Sequence, residues 1–318
     1  MKPQVKTYPC RVGRKRFLGV TAALLVGAAS FASSAFAADA SADAYKAPDV
    51  APIVAQAAYD PAAHELLPPA MRKSGVLVVG MDATKGIPWA YLGRDGQIQG
   101  LTRDVADSLA KVLGVKADIK NTPFENLVPG LQADRFQLTI APMLQTPKRL
   151  KILDMIGWIH GGSSFMVRKS STLADLSMSD AICGMVLGGV SGTSEAHLME
   201  VQAKKCAADG KKPIQLHLFP KSTDNILALK AGRVEAISTS TAQIGYIASV
   251  DPSLKRSGEP FNSGLSSMAL AKDSPLAPAI VAAFKSLIAS GVYGKLLSAY
   301  GLDILAMKHS VLNEMAKH

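Results

Sequence analysis

The chain has 318 residues, 48% of them hydrophobic and 19% charged, a composition typical of a globular protein with room for about two domains. Its formal net charge is +10, but six cations and no anion lie in the first 37 residues, so the remainder carries +4. No basic run with interleaved aromatic residues follows, so a nucleic-acid partner is not expected.

The N-terminal residues have the pattern of an export signal. A basic start is followed by an apolar run at 17–32 and then by Ala35-Phe36-Ala37, an A-x-A cleavage site. The apolar run is too short to span a membrane. Arg14-Lys15-Arg16 is similar to a twin-arginine motif, but Lys15 interrupts the pair, so the general export route is favoured. We predict a signal peptide at 1–37, cleaved before Ala38.

The segment 38–74 comes next. Up to about Pro61 it is rich in Ala, Asp and Pro without periodicity, which is typical of a flexible leader, and we expect order to begin near Gly75. The apolar run Val76–Gly80 then predicts a buried strand. A helix follows, with an apolar stripe that ends at Gly114 (Val105, Leu109, Val112 and Leu113).

Strand and helix patterns continue to alternate along the chain. Further strands are predicted at 136–140, 163–168, 183–190, 215–219 and 234–237, and further helices at 223–231 and around 280–288. This alternation predicts an α/β protein with parallel strands, in which ligand-binding loops lie at the carboxyl ends of the strands.

Two cysteines remain after the signal peptide, Cys183 and Cys206, 23 positions apart. An exported protein meets an oxidising compartment, so we predict that they form a disulfide, with two buried free thiols as the alternative. The six histidines are scattered, and neither C-x-x-C nor H-E-x-x-H occurs. We therefore predict no metal site and no cofactor.

The stretch Ile140–Asp154 is the first candidate binding motif. Its apolar run breaks at Pro142. Thr146 is a natural helix cap and Pro147 suits the first helical position, so free backbone N–H groups and the guanidinium of Arg149 are expected in one concave place. That arrangement suits a carboxylate. The alternative is a surface turn with an ordinary exposed arginine.

A second candidate motif follows the strand at 183–190. Gly192, Thr193 and Ser194 lead into a helix start, where backbone N–H groups are available to bind an anion. The G-K-[ST] sequence of a nucleotide-binding P-loop is absent, so a nucleotide ligand is not indicated. This loop, like the first motif, is therefore suited to an anion.

These motifs resemble those of the bacterial extracellular solute-binding proteins of family 3, the amino-acid receptors of ABC importers. The similar segments are Ala141–Met155, Gly100–Asp104, Gly192–Ser194, Gly291–Leu297 and Tyr300-Gly301, and the resemblance spans about 75–302. It implies a type II periplasmic-binding-protein fold, with two lobes joined by a two-segment hinge. Lobe 1 would be 75–164, lobe 2 would be 165–264, and 265–318 would return to lobe 1.

The resemblance also implies roles for individual residues. Arg149 would clamp the ligand carboxylate, Thr193 and Ser194 would close over it from lobe 2, and Asp82 would meet the ammonium. Phe124 would stack on the ligand side chain, although core packing is an equal alternative. Trp89, Pro142, Leu144 and Ser240 complete the expected ligand contacts.

Several positions depart from the family pattern. Ser240 stands where many members place an ammonium-binding Asp, Leu144 replaces a hydroxyl residue, and Lys85 replaces an aromatic lid. Loss of the Asp suggests a ligand with a modified or displaced amine. The alternative is that Ser240 with a bridging water suffices for a plain amino acid.

The expected function is therefore that of a monomeric periplasmic receptor. It would capture a small carboxylate-bearing solute, an amino acid or a derivative, and deliver it to an ABC permease in the membrane. One alternative is an enzyme on the same scaffold, similar to a cyclohexadienyl dehydratase, with Glu195 as the sole candidate acid. The other alternative is a soluble sensor subunit that binds the same solute.

Overall fold

The computed structural model describes residues 48–314. The predicted signal peptide, its cleavage site and residues 38–47 lie outside the described residues. The helices are α1 (Ala51–Ala55), α2 (Pro61–Glu65), α3 (Pro69–Ser74), α4 (Leu101–Val112), α5 (Leu127–Gln132), α6 (Pro147–Leu150), α7 (Ser194–Ala208), α8 (Ser222–Lys230), α9 (Thr241–Val250), α10 (Ala277–Ala289) and α11 (Val292–Ala299). The strands are β1 (Val76–Met81), β2 (Tyr91–Leu92), β3 (Ile98–Gln99), β4 (Lys116–Asn121), β5 (Leu138–Leu144), β6 (Leu153–Arg168), β7 (Val186–Val190), β8 (Gln215–Phe219), β9 (Ala236–Ser240), β10 (Leu254–Ala271) and β11 (Ala306–Leu312).

The main sheet has the order β4-β1-β5-β10-β6-β9-β7-β8, with β11 paired to β6. At one end β1 runs parallel to β4 and β5, and at the other β7 runs parallel to β8 and β9. The long strands β6 and β10, of 16 and 18 residues, pair antiparallel to each other, and each contributes to both halves of the sheet. We call the half built on β1, β4 and β5 lobe 1, and the half built on β7, β8 and β9 lobe 2. The predicted α/β class is confirmed.

The two long strands bend where they pass from one lobe to the other. The β6–β10 register shifts between Ser257 and Phe261, and again between Phe261 and Gly264. On β6 the passage is at Gly161-Gly162, and a Cβ on Gly161 would lie only 2.4 Å from the hydroxyl of Ser266. Glycine therefore allows the close approach of the strands at the hinge. β6 is continuous from Leu153, whereas the sequence predicted a separate strand beginning at 163.

The segment before β1 is not a flexible leader in its described part, so that prediction is wrong from residue 48 onward. It forms α1, α2 and α3, each with a proline in its first turn, where the missing N–H costs nothing. Each helix is too short to show a periodic apolar stripe, which explains the error. Buried side chains of these helices and of the residues flanking them join the lobe 1 core (Val50, Ala57, Ala63, Leu67 and Met71). Burial of Leu67, which is 2% exposed, contributes about 2 kcal/mol.

The rest of the lobe 1 core lies between the sheet and the helices α4, α10 and α11. The predicted stripe on α4 is buried and the chain leaves the helix through Gly114 at a φ of 65°, so that prediction is confirmed. Phe284 on α10 packs edge-to-face against Tyr293 on α11, with ring centroids 5.0 Å apart. Within residues 48–314 no single helix could cross a membrane by length and apolar character, and only the pair α10 and α11, bent by 74°, meets that criterion jointly.

Lobe 2 has a smaller core, and the predicted disulfide is part of it. Cys183 and Cys206 are bonded, with Cα atoms 5.7 Å apart, so the chain entering β7 is tied to α7. Both residues pack with the buried side chains of this lobe, among them Phe165, Leu187 and Met199. The bond thus closes a loop that contains the second candidate binding motif.

Candidate functional site

The predicted binding residues meet at the cleft between the lobes, where β1, β5, β7 and β9 end. One cavity of about 40 Å³ lies here, lined from both lobes (Trp89, Pro142, Leu144, Ile159, His160, Gly161, Gly162, Ser163, Glu195, Ser240, Thr241, Ala242, Asn262, Ser266 and Leu305). A second, of about 10 Å³, adjoins it on the lobe 1 side at Trp89 and Pro142. These volumes are close to that of one or a few water molecules, so the lobes are closed on each other.

Direct hydrogen bonds hold the two lobes together across the cleft. Trp89 Nε1 donates to Ser240 Oγ at 3.1 Å, and Arg149 Nη2 donates to the Gly192 carbonyl at 3.0 Å. The side-chain amide of Gln243 also donates to the Lys85 carbonyl. Each bond joins a group on lobe 1 to one on lobe 2, so opening the cleft breaks all three.

Arg149 lies where the sequence placed it, on the short helix α6. Thr146 caps that helix, because its hydroxyl accepts from Arg149 N at 3.2 Å. The guanidinium also donates to the Leu144 carbonyl at 2.8 Å, and its carbon lies 5.7 Å from the centre of the Phe124 ring. Burial lowers the pKa of Arg149, while the negative charge of Glu195 raises it. The guanidinium has further N–H donors for a ligand, and its position over an aromatic ring is favourable for a cation.

Leu144 and Pro142 form the cleft edge of β5. This strand continues through Pro142, which sits in a bulge where the pairing with β10 shifts between Ser267 and Met268. A bulge needs no hydrogen bond from the proline nitrogen, so the predicted break at Pro142 does not end the strand. Phe124 is buried in the lobe 1 core, so its core packing and its contact with Arg149 coexist.

Thr193 and Ser194 lie at the N-terminus of α7, facing lobe 1. The Thr193 hydroxyl caps the helix, accepting from Ala196 N at 3.2 Å and donating to the Val190 carbonyl at 2.8 Å. Ser194 Oγ donates to Glu195 Oε2 at 3.1 Å. Both hydroxyls are therefore committed within lobe 2, and the groups they leave for an anion are backbone N–H groups of the first helical turn.

Gly192 brings the two candidate motifs into contact. It adopts a φ of 77°, and a Cβ there would come within 2.9 Å of the Glu125 Cα in lobe 1. Only glycine satisfies both the left-handed backbone and this approach. The position that the sequence marked as part of an anion-binding turn is thus also a point of close contact between the lobes.

Asp82 lies in the second cavity but its carboxylate is used locally. Oδ1 accepts from Thr84 N at 2.8 Å and from Thr84 Oγ1 at 2.7 Å, and Oδ2 accepts from Phe124 N at 3.2 Å. The side chain is 4% exposed. These bonds hold the loop after β1 against the turn that carries Phe124, and they occupy most of the carboxylate's acceptor capacity.

Ser240 lies on the lobe 2 side of the first cavity as the N-cap of α9. Its hydroxyl accepts from Gln243 N at 3.3 Å in addition to Trp89 Nε1. Two donors on one hydroxyl oxygen fill its lone pairs, so the group it keeps for a ligand is its O–H. The structure thus places every predicted binding residue at or beside the cleft.

The structure also brings two residues into the cleft that the sequence left in lesser roles, Glu195 and Lys85. Glu195 lines the first cavity, and its Oε1 accepts from Ser163 Oγ at 2.6 Å. Burial tends to raise the pKa of Glu195, but the positive charge of Lys85 and the hydrogen bonds outweigh it, so the pKa is lowered and the group is ionised at neutral pH. A glutamate in the first turn of a helix usually complements the helix dipole, so the sequence indicated Glu195 only as the candidate acid of the enzyme alternative.

Known arginine-binding proteins are similar to this chain over most of its length. The arginine-binding protein ArgT of Corynebacterium glutamicum is 23% identical over 257 residues, covering 80% of this chain and 83% of that protein. A solved ancestral arginine-binding protein bound to arginine is 28% identical with a TM-score of 0.63, covering 71% of this chain and 98% of that one. A mutant of ArgBP from T. maritima is 25% identical with a TM-score of 0.66, covering 75% and 99%.

One solved relative links the fold to enzyme chemistry. It is an ancestral amino acid-binding protein described as a precursor of cyclohexadienyl dehydratase, 25% identical with a TM-score of 0.64, covering 73% of this chain and 97% of its own. The sequence profile of the bacterial extracellular solute-binding proteins, family 3, matches residues 77–303, which include both lobes and the cleft. The chain belongs to this family and has its two-lobed type II fold.

Proposed function

We propose that this protein is a periplasmic receptor that captures a small carboxylate-bearing solute, an amino acid or a derivative of one, and delivers it to an ABC import permease. Family membership and the names of relatives that bind arginine, glutamine or cystine support it. The observation that carries the proposal is the interlobe cleft, where Arg149 of lobe 1 faces the N-terminus of α7 in lobe 2.

Closure of the lobes is the proposed working motion. Lobe 1 at 75–164 and 265–318 would move against lobe 2 at 165–264, because β6 and β10 are the strands that join them. A ligand that contacts both walls stabilises the closed form over the open one, and the permease would recognise the closed form. The protein would act as a monomer after export and removal of residues 1–37.

The enzyme alternative is less well supported. A dehydratase needs a general acid aimed into the cleft, and Glu195 is the residue that could take that role. Its lowered pKa keeps it deprotonated at neutral pH, which suits a hydrogen-bond acceptor and not a proton donor. A role as a sensor subunit uses the same binding step and differs only in the partner of the closed form.

Two measurements test the proposal. Mass spectrometry of small molecules released by denaturing the purified exported protein identifies a co-purified ligand, and we expect a compound with a carboxylate. A thermal-shift screen of the proteinogenic L-amino acids, with sugars and polyamines as controls, should raise the melting temperature for one or a few amino acids. Stabilisation by a sugar or polyamine alone would contradict the proposal.

The export step has its own test. Terminal sequencing of the protein released from the periplasm should start at Ala38. A protein that keeps residues 17–32 would contradict cleavage, while leaving the binding function in place.

A further inference from the structure

Resting on the proposed function, we propose that Glu195 accepts the ligand's ammonium group, so that the preferred ligand is an unmodified α-amino acid held between Arg149 and Glu195. The acidic partner for the amine would then come from the first turn of α7 and not from position 240 or from Asp82. The proposal rests on the location of Glu195, on its lack of a close cation, and on how the other acidic group of the cleft is used.

The location of Glu195 follows from the strand register. Ser163 on β6 pairs directly with Ser240 on β9, and Ser163 Oγ donates to Glu195 Oε1 at 2.6 Å. The carboxylate therefore lies one strand away from position 240, on the same wall of the cleft. Glu195 and Ser240 line the same cavity, together with Trp89 from the opposite lobe.

Glu195 has hydrogen bonds but no ion pair. Its oxygens accept from the hydroxyls of Ser163 and Ser194, and none of the ion pairs among residues 48–314 includes it. Arg149 and Lys85 attract it through space at longer range. Glu195 is thus a buried, ionised carboxylate without an ion pair among residues 48–314, and an ammonium in direct contact would complete such a pair.

Lys85 supports the same interpretation from lobe 1. It is 8% exposed and lines the second cavity, and none of the hydrogen bonds or ion pairs of the described residues uses its side-chain nitrogen. Thr241 lines the first cavity, and its Oγ1 is buried without a hydrogen-bond partner among those residues. The cleft thus holds polar groups for which residues 48–314 supply no partner, which is consistent with a polar ligand that supplies one.

Asp82 is the competing acceptor, and its surroundings differ. Its carboxylate already accepts three hydrogen bonds, from Thr84 and from Phe124 N, all within lobe 1. Asp82 lines the second cavity, of about 10 Å³, whereas Glu195 lines the first, of about 40 Å³, which has more room for an ammonium group. Arg149 binds the carboxylate of the ligand, so the ligand that satisfies both ends carries an amine and a carboxylate.

The test is a double comparison of protein and ligand. Two ligands are used: the amino acid that stabilises the wild type most in the thermal-shift screen, and the same compound without its amine. Calorimetry measures the binding of each ligand to the wild type, to Glu195→Gln and to Asp82→Asn. We expect Glu195→Gln to weaken the amino acid by about 30-fold or more and to leave the amine-free acid within about threefold. Glu195→Asp should recover part of the preference for the amino acid, and Asp82→Asn should weaken both ligands alike.

Each contrary outcome has one meaning. If Glu195→Gln weakens both ligands equally, or if Asp82→Asn alone removes the preference for the amine, the assignment of Glu195 is wrong and the receptor function stands. If neither the amino acids nor the amine-free acids bind the wild type, the proposed function fails and the inference with it. Circular dichroism and the melting temperature of each variant without ligand establish that the variants fold.

Discussion

The two walls of the cleft are built differently. On the lobe 1 wall, Asp82 and Arg149 are held by backbone groups, through Phe124 N for the first and the Leu144 carbonyl for the second. On the lobe 2 wall, the polar groups are hydroxyls that cap α7 and α9, together with the unpaired charge of Glu195. Lobe 1 is therefore preorganised by its own chain, whereas lobe 2 depends on a ligand or on lobe 1 to satisfy its charge.

The lobes also differ in how they are stabilised away from the cleft. Lobe 1 is covered by the segment that forms α1, α2 and α3, and buried side chains of this segment enlarge its core. Among residues 48–314, lobe 2 has no counterpart of these N-terminal helices, and it contains the Cys183–Cys206 bond instead. One lobe is thus supported by apolar burial from a distant part of the chain, and the other by a covalent link within a short loop.

The largest effect is expected on the lobe 1 wall. Arg149→Ala should weaken binding of the amino acid found in the screen by about 30-fold or more, because a charged partner of the ligand carboxylate is lost. Calorimetry measures this, and Lys148→Ala is the matched control, since it removes an exposed cation from the same helix. Equal affinities of the wild type and Arg149→Ala would place the ligand carboxylate elsewhere.

The support of lobe 1 is tested by Leu67→Ala. We expect a loss of about 3 kcal/mol in the free energy of unfolding, because a leucine that is 2% exposed leaves a cavity between the N-terminal helices and the core. Leu66→Ala, next to it and 47% exposed, should change the free energy by less than about 0.5 kcal/mol. Urea denaturation compares the two, and equal small losses would mean that these helices do not brace the lobe.

The support of lobe 2 is tested by removing its disulfide. The double variant Cys183→Ser, Cys206→Ser should lose about 3 kcal/mol of stability, since the bond closes a loop with a sequence separation of 23. Hydrogen exchange should show the loss in β7 and α7 and leave α4 unchanged. Denatured, unreduced wild-type protein should contain no free thiol, and two free thiols would refute the bond.

The hydrogen bond between the two walls of the cleft is expected to contribute less free energy than the features tested above. Trp89→Phe and Ser240→Ala each remove one partner of the bond between Trp89 Nε1 and Ser240 Oγ. Ligand affinities of both single variants and the double variant form a cycle, whose coupling should be about 1 kcal/mol. Coupling near zero would show that this bond does not contribute to the ligand-bound state.

The smallest effect is a pH dependence within lobe 1. Burial raises the pKa of Asp104 to about 6, although a hydrogen bond from Tyr300 opposes this. The folded protein therefore binds more protons than the unfolded chain between about pH 4 and 6, and this contribution to stability is present at low pH and lost as pH rises through about 6. In Asp104→Asn, the unfolding free energies measured at about pH 4 and about pH 7, which bracket this range, should differ less than they do in the wild type. An unchanged difference would contradict the assignment to Asp104.

The cleft shows how much of this structure could be predicted from the sequence. The sequence correctly predicted that Thr146 caps a helix and that Arg149 follows in its first turn. Such a turn depends on residues that are neighbours in the chain, so its pattern can be recognised locally. The role of Glu195 could not be predicted, since its contact with Ser163 spans 32 positions and depends on the register of β6 and β9. The helices α1 to α3 were missed because each is too short to show an apolar stripe and because the packing partners of α1 and α2 are distant in the chain, on α4, α10 and α11.

The most direct test of the receptor account is a crystal structure of the exported protein with the amino acid that stabilises it most. The account predicts that the amino acid lies between the lobes, with its carboxylate within hydrogen-bonding distance of Arg149 and of backbone N–H groups at the start of α7. A structure in which the ligand lies outside the cleft, or in which Arg149 contacts only the carbonyls of Leu144 and Gly192, would contradict it.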